Sequence, residues 1–280
     1  MIDLHTHSTE SDGSCTPERL IEVAVERGLT ALALTDHDTL SGCDAASERA
    51  RGTGVLFIPG IEIEIDAENG EFHLLGLGLD LDRSGLETAL AAVRRGRNER
   101  NLRMIEKLRA AGFSISSQEL EQVARGSVVS RAHFARLLVA KKYASGTSQA
   151  FARYLGKDKP FYEKRQCLPL PEAVSLIRSA GGFAVIAHPL SLGLKGPAFR
   201  QFLASCRDIG VSGIEAYHPN HPLRECRKLE KLGRRLGFLI TGGSDFHGEN
   251  IPQRRLGYSA GGLEIPDAFL DPLPLRAMVS

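Results

Sequence analysis

The sequence contains few cysteines, and none of them belongs to a C-x-x-C motif. The five cysteines are scattered over the 280 residues: Cys15, Cys43, Cys167, Cys206 and Cys226. An odd number without regular spacing indicates neither a disulfide framework nor a thiolate metal site. We therefore expect reduced, mostly buried cysteines in a cytoplasmic protein.

A strong net charge and long hydrophobic runs are also absent. The formal net charge is +1, so the chain as a whole does not favour nucleic acid or a membrane surface as a partner. No apolar stretch approaches the roughly 20 residues that cross a bilayer. We also expect no basic-then-apolar leader before Met1. The sequence predicts no membrane partner and gives no sign of an obligate protein partner.

Strand and helix patterns alternate in the first 80 residues and again after Pro169. Predicted strands cover 1–7, 31–38, 55–65, 71–80, 183–188, 213–218 and 238–247, and predicted helices cover 17–28, 40–52, 171–180, 197–209 and 222–236. Thr16 followed by Pro17 is typical of a helix start. A turn is expected at Glu68-Asn69-Gly70. This alternation predicts an α/β fold, a parallel (β/α) barrel.

A basic, helical segment separates the two halves of the barrel pattern. It extends from Asp82 to about Lys159 and includes the stretch RRGRNERNLRMIEKLRAAG, with few strand signals. We expect residues 1–82 and 166–280 to form the two parts of the barrel. Residues 83–165 are then a small helical insertion domain, to which we assign substrate recognition.

Metal-binding side chains occur where the predicted strands end. His5 and His7 close the first strand, and side-chain alternation places both rings on one face. The other candidates are Asp12, His37, Glu62, His73, His188, Asp245 and His247. The carboxyl ends of barrel strands and the loops after them form the active site. Imidazole and carboxylate without thiolate suit Mn²⁺, Fe²⁺, Zn²⁺ or Mg²⁺, and nine candidates favour two or three ions that share a carboxylate.

Each candidate has an alternative interpretation when it is taken alone. His188 could be a hydrogen-bonded residue of the barrel rim, and His37 could lie in a loop whose aspartates cap the next helix. Glu62 shares a strand face with Glu64 and Asp66, as on an exposed edge strand. The common strand-end position of all nine residues favours a metal centre.

The motifs H-T-H-S with S-D-G, T-D-H-D, P-G-I-E, A-H-P and S-D-F-H resemble, in this order, those of the polymerase and histidinol phosphatase (PHP) family. The resemblance covers roughly 1–82 and 166–250. It implies a distorted (β/α)7 barrel of PHP type with a three-ion centre that often contains manganese. The implied groups are His5, His7, Glu62 and Asp245; Asp12, His37 and His247; and Glu62, His73 and His188. Glu62 would bridge ions, and we assign catalytic roles to Glu62, Asp245 and His188.

Two motifs in the insertion are similar to those of one branch of this family. They are VSRAHFARLLV (129–139) and YLGKDKPFYE (154–163). That branch hydrolyses nucleoside 3′,5′-bisphosphates, and some members remove nucleotides from RNA 5′ ends. The resemblance implies that Arg131 and Lys159 contact substrate phosphate, with Arg136 close by. Alternatively, Ser130 begins a helix, and the two arginines, about 140° apart around its axis, are simply solvated.

Two stretches depart from the pattern of that branch. Leu190-Ser191-Leu192 replaces an expected Gly-Arg-Tyr after A-H-P. The stretch AYHPNH (216–221) resembles a Tyr-His-Pro variant of less characterised members. The sequence assigns no role to residues 217–221.

The sequence therefore predicts a metal-dependent phosphoesterase in which a metal-activated water attacks phosphorus. Its expected substrates are nucleoside 3′,5′-bisphosphates or the 5′ ends of short oligonucleotides. One alternative is a phosphomonoesterase of the histidinol-phosphate type, although the basic insertion favours a substrate with two phosphates. Another is a non-catalytic PHP module that binds nucleic acid. The complete set of candidate ligands argues against that second alternative.

Overall fold

Seven strands pair in sequence order in this computed structural model, which describes residues 1–66, 71–80, 83–124, 129–164 and 167–275. The strands are β1 (Ile2–Asp3), β2 (Ala31–Leu34), β3 (Leu56–Ile65), β4 (Phe72–Leu77), β5 (Phe183–Ile186), β6 (Gly213–Tyr217) and β7 (Leu239–Gly242). The first and last strands also meet, because Leu4 N donates to Gly242 O at 3.2 Å and Thr6 forms a parallel bridge with Phe246. The sheet is thus nearly closed into a barrel, and the predicted fold class is confirmed.

Strand β4 runs against its neighbours. Pairing is parallel from β1 to β3 and from β5 to β7, whereas β4 is antiparallel to both β3 and β5. The prediction of an all-parallel barrel is therefore wrong for this strand. The connection from Ile65 to Phe72 is too short for the crossover that a parallel pair requires, so the chain turns back as a hairpin. The turn predicted at Glu68-Asn69-Gly70 lies outside the described residues.

The reversal of β4 brings His73 to the same rim as the other strand ends. His73 lies at the start of β4, opposite Glu64, and Glu62 lies opposite Leu75. His73 and Glu62 therefore occupy diagonal positions on neighbouring antiparallel strands. Long side chains at such positions can contact each other.

Helices alternate with the strands along most of the chain. The helices are α1 (Pro17–Glu26), α2 (Cys43–Ala50), α3 (Ser84–Ala110), α4 (Ser117–Ala124), α5 (Arg131–Ala140), α6 (Thr147–Ala150), α7 (Leu170–Ser179), α8 (Gly196–Ile209) and α9 (Leu223–Arg235). Thr16 caps α1 by accepting a hydrogen bond from Arg19 N, and Pro17 is its first residue, which confirms that helix start. Among the described residues, no helix is long and apolar enough to cross a bilayer.

The chain divides into two units with separate cores. One unit comprises Met1–Leu90 and Cys167–Ser280 and contains the sheet. Its core includes β2 and β5, in which every residue is buried, as expected for strands covered on both faces.

The second unit, Ala91–Gln166, is helical and has its own apolar cluster. Phe134 and Leu138 of α5 are fully buried in this cluster. The ring of Phe113 packs at 5.2 Å from that of Phe161, measured between centroids. The role of this unit in substrate recognition stays a prediction.

Candidate metal centre

The ends of six strands bring the nine predicted metal ligands together. Their donor atoms form four overlapping groups, and within each group all donor atoms lie within 4.8 Å of one another. The groups are His7, Asp12, His37 and His247; His5, His7 and Asp245; His5, Glu62 and His188; and His37, Glu62 and His73. Each histidine can offer one nitrogen, and each carboxylate one or two oxygens, so neighbouring groups can share ligands.

Glu62 lies at the centre of this cluster and is only 1% exposed. Its two oxygens face five imidazoles. The distances are 3.3 Å from Oε2 to His5 Nε2, 3.3 Å to His7 Nε2 and 3.1 Å to His37 Nδ1, and 2.7 Å from Oε1 to His73 Nδ1 and 3.0 Å to His188 Nε2. A carboxylate with both oxygens surrounded in this way is well placed to bridge two cations.

Two aspartates complete the cluster on either side of Glu62. Asp12 Oδ1 lies 3.2 Å from His247 Nε2, and its Oδ2 lies 3.9 Å from His37 Nε2. Asp245 Oδ1 lies 3.1 Å from His7 Nε2 and 3.5 Å from His5 Nε2. Three carboxylates and six imidazoles thus share one buried volume.

The donor atoms fit divalent cations. Nε2 of His5 and Nε2 of His7 are buried without a hydrogen-bond partner in the described part of the chain, although both face carboxylate oxygens. A buried polar nitrogen without a partner is destabilising, and a metal ion would satisfy it. Mixed nitrogen and oxygen donors suit first-row divalent ions and Mg²⁺. The residues present therefore fit the metal centre that the sequence predicts.

The pKa values within the cluster are coupled through Glu62. Burial alone would raise the pKa of Glu62, but His37, His73 and His5 outweigh it and hold that pKa well below its usual range. Burial alone would lower the pKa of His7, but the carboxylates of Asp245 and Glu62 raise it to about 10. Burial prevails at His37 and lowers its pKa to about 4. Cations and protons therefore compete for these nitrogens.

Two of the predicted ligands have a left-handed backbone. The φ angle is 26° at His188 and 51° at Asp245, a region that non-glycine residues rarely occupy. Each strained residue is held by its own N–H group: His188 N donates to Glu215 Oε2 at 2.7 Å, and Asp245 N donates to His5 O at 2.9 Å. Backbone strain of this kind concentrates at functional sites.

Strand β6 contributes residues that the sequence analysis did not assign. Glu215 Oε1 lies 3.0 Å from His5 Nδ1, and His218 Nε2 lies 3.1 Å from Asp245 Oδ2. Asn220 N donates to His218 Nδ1 at 3.1 Å, so the ring hydrogen of His218 is on Nε2 and is donated to Asp245. A charged residue inside a predicted buried strand was the signal that could have revealed Glu215.

Arg254 is a further residue that the sequence analysis missed. Its Nη1 donates to the backbone oxygen of Asp245 at 2.8 Å and forms an ion pair with Oδ2 of the same residue. Arg254 lies after β7 in irregular structure, where no periodic pattern draws attention to it. Arg254 and His218 both contact Oδ2 of Asp245, and they thereby hold the carboxylate with Oδ1 facing His7.

Ser191 lies in the stretch 190–192, which departs from the pattern of the bisphosphatase branch, and its side chain contacts a predicted ligand. Its hydroxyl lies 2.9 Å from His188 Nδ1 and within 2.9 Å of two backbone oxygens, those of Glu71 and His188. The hydroxyl can donate to one of those oxygens and accept from Nδ1, which leaves His188 Nε2 facing Glu62. Ser191 thus orients a predicted ligand.

An open cleft of about 350 Å³ gives access to the cluster. His37, His73, His188 and His247 line the cleft together with residues outside the predicted set, among them Asn220, His221 and Arg254. The volume is sufficient for a phosphate group with part of the ester attached to it.

The three predicted substrate residues belong to the helical unit. Arg131 is the first residue of α5, with its guanidinium 5.4 Å from the ring centroid of Tyr162. Arg136 is half-buried on α5, and Lys159 is exposed in the turn after Gly156. Ser130 precedes α5 as its N-cap, as the alternative interpretation expected. Contact of these three residues with phosphate stays a prediction.

A sequence profile of the PHP domain matches residues 3–161. The chain belongs to the PHP domain family. The family resemblance in the sequence is thereby confirmed.

Curated relatives match nearly the whole chain. A 3′,5′-nucleoside bisphosphate phosphatase of Chromobacterium violaceum is 34% identical over 259 residues, which are 92% of this chain and 91% of that protein. A 5′-3′ exoribonuclease of Haemophilus influenzae is 34% identical over 245 residues, 88% of this chain and 89% of that protein. A solved structure from Bifidobacterium adolescentis, whose description gives metal-dependent phosphoesterase as a suggested activity, has a TM-score of 0.84 at 29% identity and covers 96% of this chain and 93% of its own.

The ligand groups implied by the PHP resemblance overlap with those of the structure. His5, His7 and Asp245 form one group, and Asp12, His37 and His247 share another, which His7 joins. His73 and His188 both contact Glu62 but fall in different groups, with His37 and His5 respectively. The assignment of individual residues to individual ions stays a prediction.

Proposed function

We propose that this PHP protein is a metal-dependent phosphoesterase that hydrolyses nucleoside 3′,5′-bisphosphates or the 5′ ends of short oligonucleotides. The observation that carries the proposal is the buried carboxylate of Glu62, with five imidazoles around its two oxygens, beside an open cleft. The names of the two curated relatives, a bisphosphate phosphatase and an exoribonuclease, support the substrate class.

The nine residues of the cluster would hold two or three divalent ions. We propose Mn²⁺ from the family resemblance, with Fe²⁺, Zn²⁺ or Mg²⁺ as alternatives that the same donors accept. When bound, such ions supply positive charge for the phosphate oxygens and lower the pKa of a water molecule that can attack phosphorus. Glu62, Asp245 and His188 are the proposed catalytic residues, because they face the shared volume in which the ester would lie.

The protein groups around the cluster maintain its geometry for the reaction. Ser191 keeps His188 Nε2 directed at Glu62, and Arg254 and His218 hold one oxygen of Asp245 so that the other faces His5 and His7. The hydroxyls of Ser8 and Ser11 both donate to Asp36, at 2.6 and 2.5 Å. These hydroxyls therefore hold the loop of the first ligands, and we propose direct attack by water rather than a covalent serine intermediate.

Arg131, Arg136 and Lys159 are proposed to bind the phosphate that does not react. Arginine can donate two parallel hydrogen bonds to a phosphate, and lysine adds a point charge. A substrate with a single phosphate, such as histidinol phosphate, would not use these residues. This difference favours the bisphosphate activity over the alternative phosphomonoesterase activity. We also propose a cytoplasmic location, because the five cysteines of the sequence are scattered and odd in number.

A substrate panel tests this proposal. The purified chain, loaded with Mn²⁺, is incubated with a nucleoside 3′,5′-bisphosphate, a nucleoside 5′-monophosphate, histidinol phosphate and a 5′-phosphorylated oligoribonucleotide. We expect the bisphosphate or the oligonucleotide to be hydrolysed with the highest kcat/KM. Preference for histidinol phosphate would contradict the proposed substrate class, and no hydrolysis of any ester would favour a non-catalytic module.

A further inference from the structure

Strand β6 differs from its neighbours in the sheet, because no residue of β6 or of the turn after it belongs to the nine predicted ligands. Instead it places Glu215 behind two of them. Glu215 is fully buried, its Oε1 lies 3.0 Å from His5 Nδ1, and its Oε2 accepts from the backbone N–H of His188 at 2.7 Å. One carboxylate therefore joins the residues that follow β1 to those that follow β5.

We propose that Glu215 is a positioning residue that prepares both His5 and His188 to hold metal. This inference rests on the proposed function, since it concerns the metal centre of that same site. Glu215 holds the hydrogen of His5 on Nδ1, which leaves Nε2 with a lone pair directed at Glu62 and Asp245. A carboxylate behind a metal-binding histidine commonly fixes its tautomer and orientation in this way.

The second oxygen of Glu215 acts on the backbone rather than on a side chain. His188 has a φ angle of 26°, and the hydrogen bond from its N–H to Glu215 holds this unfavourable conformation. With the backbone fixed, and with Ser191 near Nδ1, the imidazole of His188 directs Nε2 at Glu62 at 3.0 Å. A loss of Glu215 would therefore affect two ligands that lie more than 180 residues apart in the chain.

Two local features show that the chain is built to admit this carboxylate. The pairing of β6 with β7 shifts register between Glu215 and Tyr217, and such bulges change the direction of side chains next to functional sites. Gly243 of the neighbouring segment leaves the necessary space: a Cβ there would lie 2.8 Å from Glu215 Oε1 and 2.2 Å from His5 Cβ.

The substitution Glu215→Gln keeps the volume of the side chain and changes the hydrogen bonds that its two ends can form. A carboxylate accepts at both oxygens, whereas a carboxamide accepts at one end and donates at the other. If its NH₂ group faces His5, the ring hydrogen of His5 moves to Nε2 and blocks the metal-facing nitrogen. If its NH₂ group faces His188, it opposes the N–H that holds the strained backbone. Either orientation impairs one ligand.

The test is a comparison of metal binding by the full-length chain and two variants. Wild type, Glu215→Gln and Glu230→Gln are stripped with chelator and titrated with Mn²⁺, and free Mn²⁺ is followed by its electron paramagnetic resonance signal. Glu230 of α9 accepts hydrogen bonds from Tyr217 of β6 and from Arg234 of α9. This control therefore loses the same charge in the same unit but contacts no predicted ligand. We expect Glu215→Gln to weaken Mn²⁺ binding by roughly 10- to 100-fold and the control to bind like wild type.

The possible results distinguish this inference from the proposed function. Wild-type Mn²⁺ affinity in a folded Glu215→Gln chain would overturn the inference while leaving the phosphoesterase proposal intact. A wild-type chain that binds no divalent metal would overturn both. If Glu215→Gln does not fold, the ¹⁵N resonances of the wild-type chain loaded with diamagnetic Zn²⁺ decide. A hydrogen on His5 Nδ1 supports the inference, and a hydrogen on Nε2 overturns it.

Discussion

Glu62 contacts more predicted ligands than any other carboxylate of the described residues, and its replacement gives the most direct test of the centre. We expect Glu62→Gln to reduce kcat/KM for a nucleoside 3′,5′-bisphosphate by more than about 100-fold, because the amide lacks the negative charge that, in our proposal, two metal ions would share. The measurement is steady-state hydrolysis at saturating Mn²⁺, together with circular dichroism to establish that the chain is folded.

Glu48→Gln is a suitable control for that measurement. Glu48 is exposed on α2 and pairs only with Arg51 in the described contacts, so its replacement should leave hydrolysis unchanged. Turnover of Glu62→Gln within a factor of two of wild type would show that Glu62 is only a residue of the rim.

The basic residues of the helical unit give a second prediction. Arg131→Ala and Lys159→Ala should each lower kcat/KM for the bisphosphate by about ten- to a hundred-fold, since a charge-assisted hydrogen bond contributes roughly 1.5–3 kcal/mol. Binding energy from a phosphate that does not react can position the one that does. The same variants should barely change hydrolysis of a small aryl phosphate, and both rates are measured in parallel.

Arg109→Ala serves as the comparison for these two variants, because Arg109 is an exposed residue at the end of α3 in the same unit. Equal losses on both substrates would indicate a folding defect or a damaged metal centre. Unchanged rates on both would assign Arg131 and Lys159 to the solvated surface.

The candidate ligands could be predicted from sequence because strand ends are visible as periodic patterns. His218 and Arg254 could not, since their importance lies in which side chain each one contacts. Glu215 differed from its neighbours as a charged residue in a predicted buried strand, but its partners could not be predicted. The distance from Glu215 to His5, for example, depends on the bulge in β6 and on the missing side chain of Gly243. Neither feature produces a periodic signal, and the same holds for the hydroxyl of Ser191 behind His188.

At the scale of elements, the direction of β4 was the main error. The apolar run at 71–80 correctly predicted a strand, but the pattern of a single strand contains no information about its direction. The direction follows from the length of the connection to β3, which excludes a crossover. This reversal explains how His73, near the beginning of its strand, reaches ligands near the ends of theirs.

Helix α5 provides a prediction about stability in the helical unit. His133 is 1% exposed, and its Nδ1 accepts from Ser130 N at 2.9 Å, in the place that glutamate or glutamine occupies in a capping box. We expect His133→Ala to lower the free energy of unfolding by about 1–3 kcal/mol, because the half-buried N–H of Ser130 loses its partner. Urea denaturation followed by circular dichroism measures this change.

His133→Gln tests the cause of that loss. A glutamine at this position can accept the same hydrogen bond, so it should restore part of the stability that alanine loses. Equal destabilisation by both variants would assign the effect to the packing of the imidazole ring instead of the cap.

For the whole molecule, metal and stability should be linked. An ion that binds the folded state but not the unfolded state raises the free energy of unfolding by about 2.7 kcal/mol at a concentration of 100 times Kd. For a protein of this size, that increase raises Tm by roughly 5–10 °C. We expect chelator to lower Tm and added Mn²⁺ to restore it. Elemental analysis of protein prepared without chelator should give two to three equivalents of metal. An unchanged Tm together with less than one equivalent would contradict a multinuclear centre.

The fold class was predictable because alternation of strands and helices over two long segments leaves few topologies. The alternation also predicted a barrel, but it did not show which residues close the sheet. Closure depends on contacts such as the bridge between Thr6 and Phe246, which join residues at opposite ends of the described sequence.

The contact between residues near the start of the chain and residues after β7 affects when the metal ligands can come together during synthesis. His5 and His7 are synthesised more than 230 residues before Asp245, an interval of roughly 10–50 s at ordinary rates of translation. Until then, the two imidazoles lack a carboxylate that the folded cluster places beside them. Ribosome-bound chains that stop before β7 therefore cannot complete the group of His5, His7 and Asp245. Loading of this group with metal should consequently follow synthesis of β7 and the residues after it, and a product truncated before β7 would be recognisable by its lower metal content.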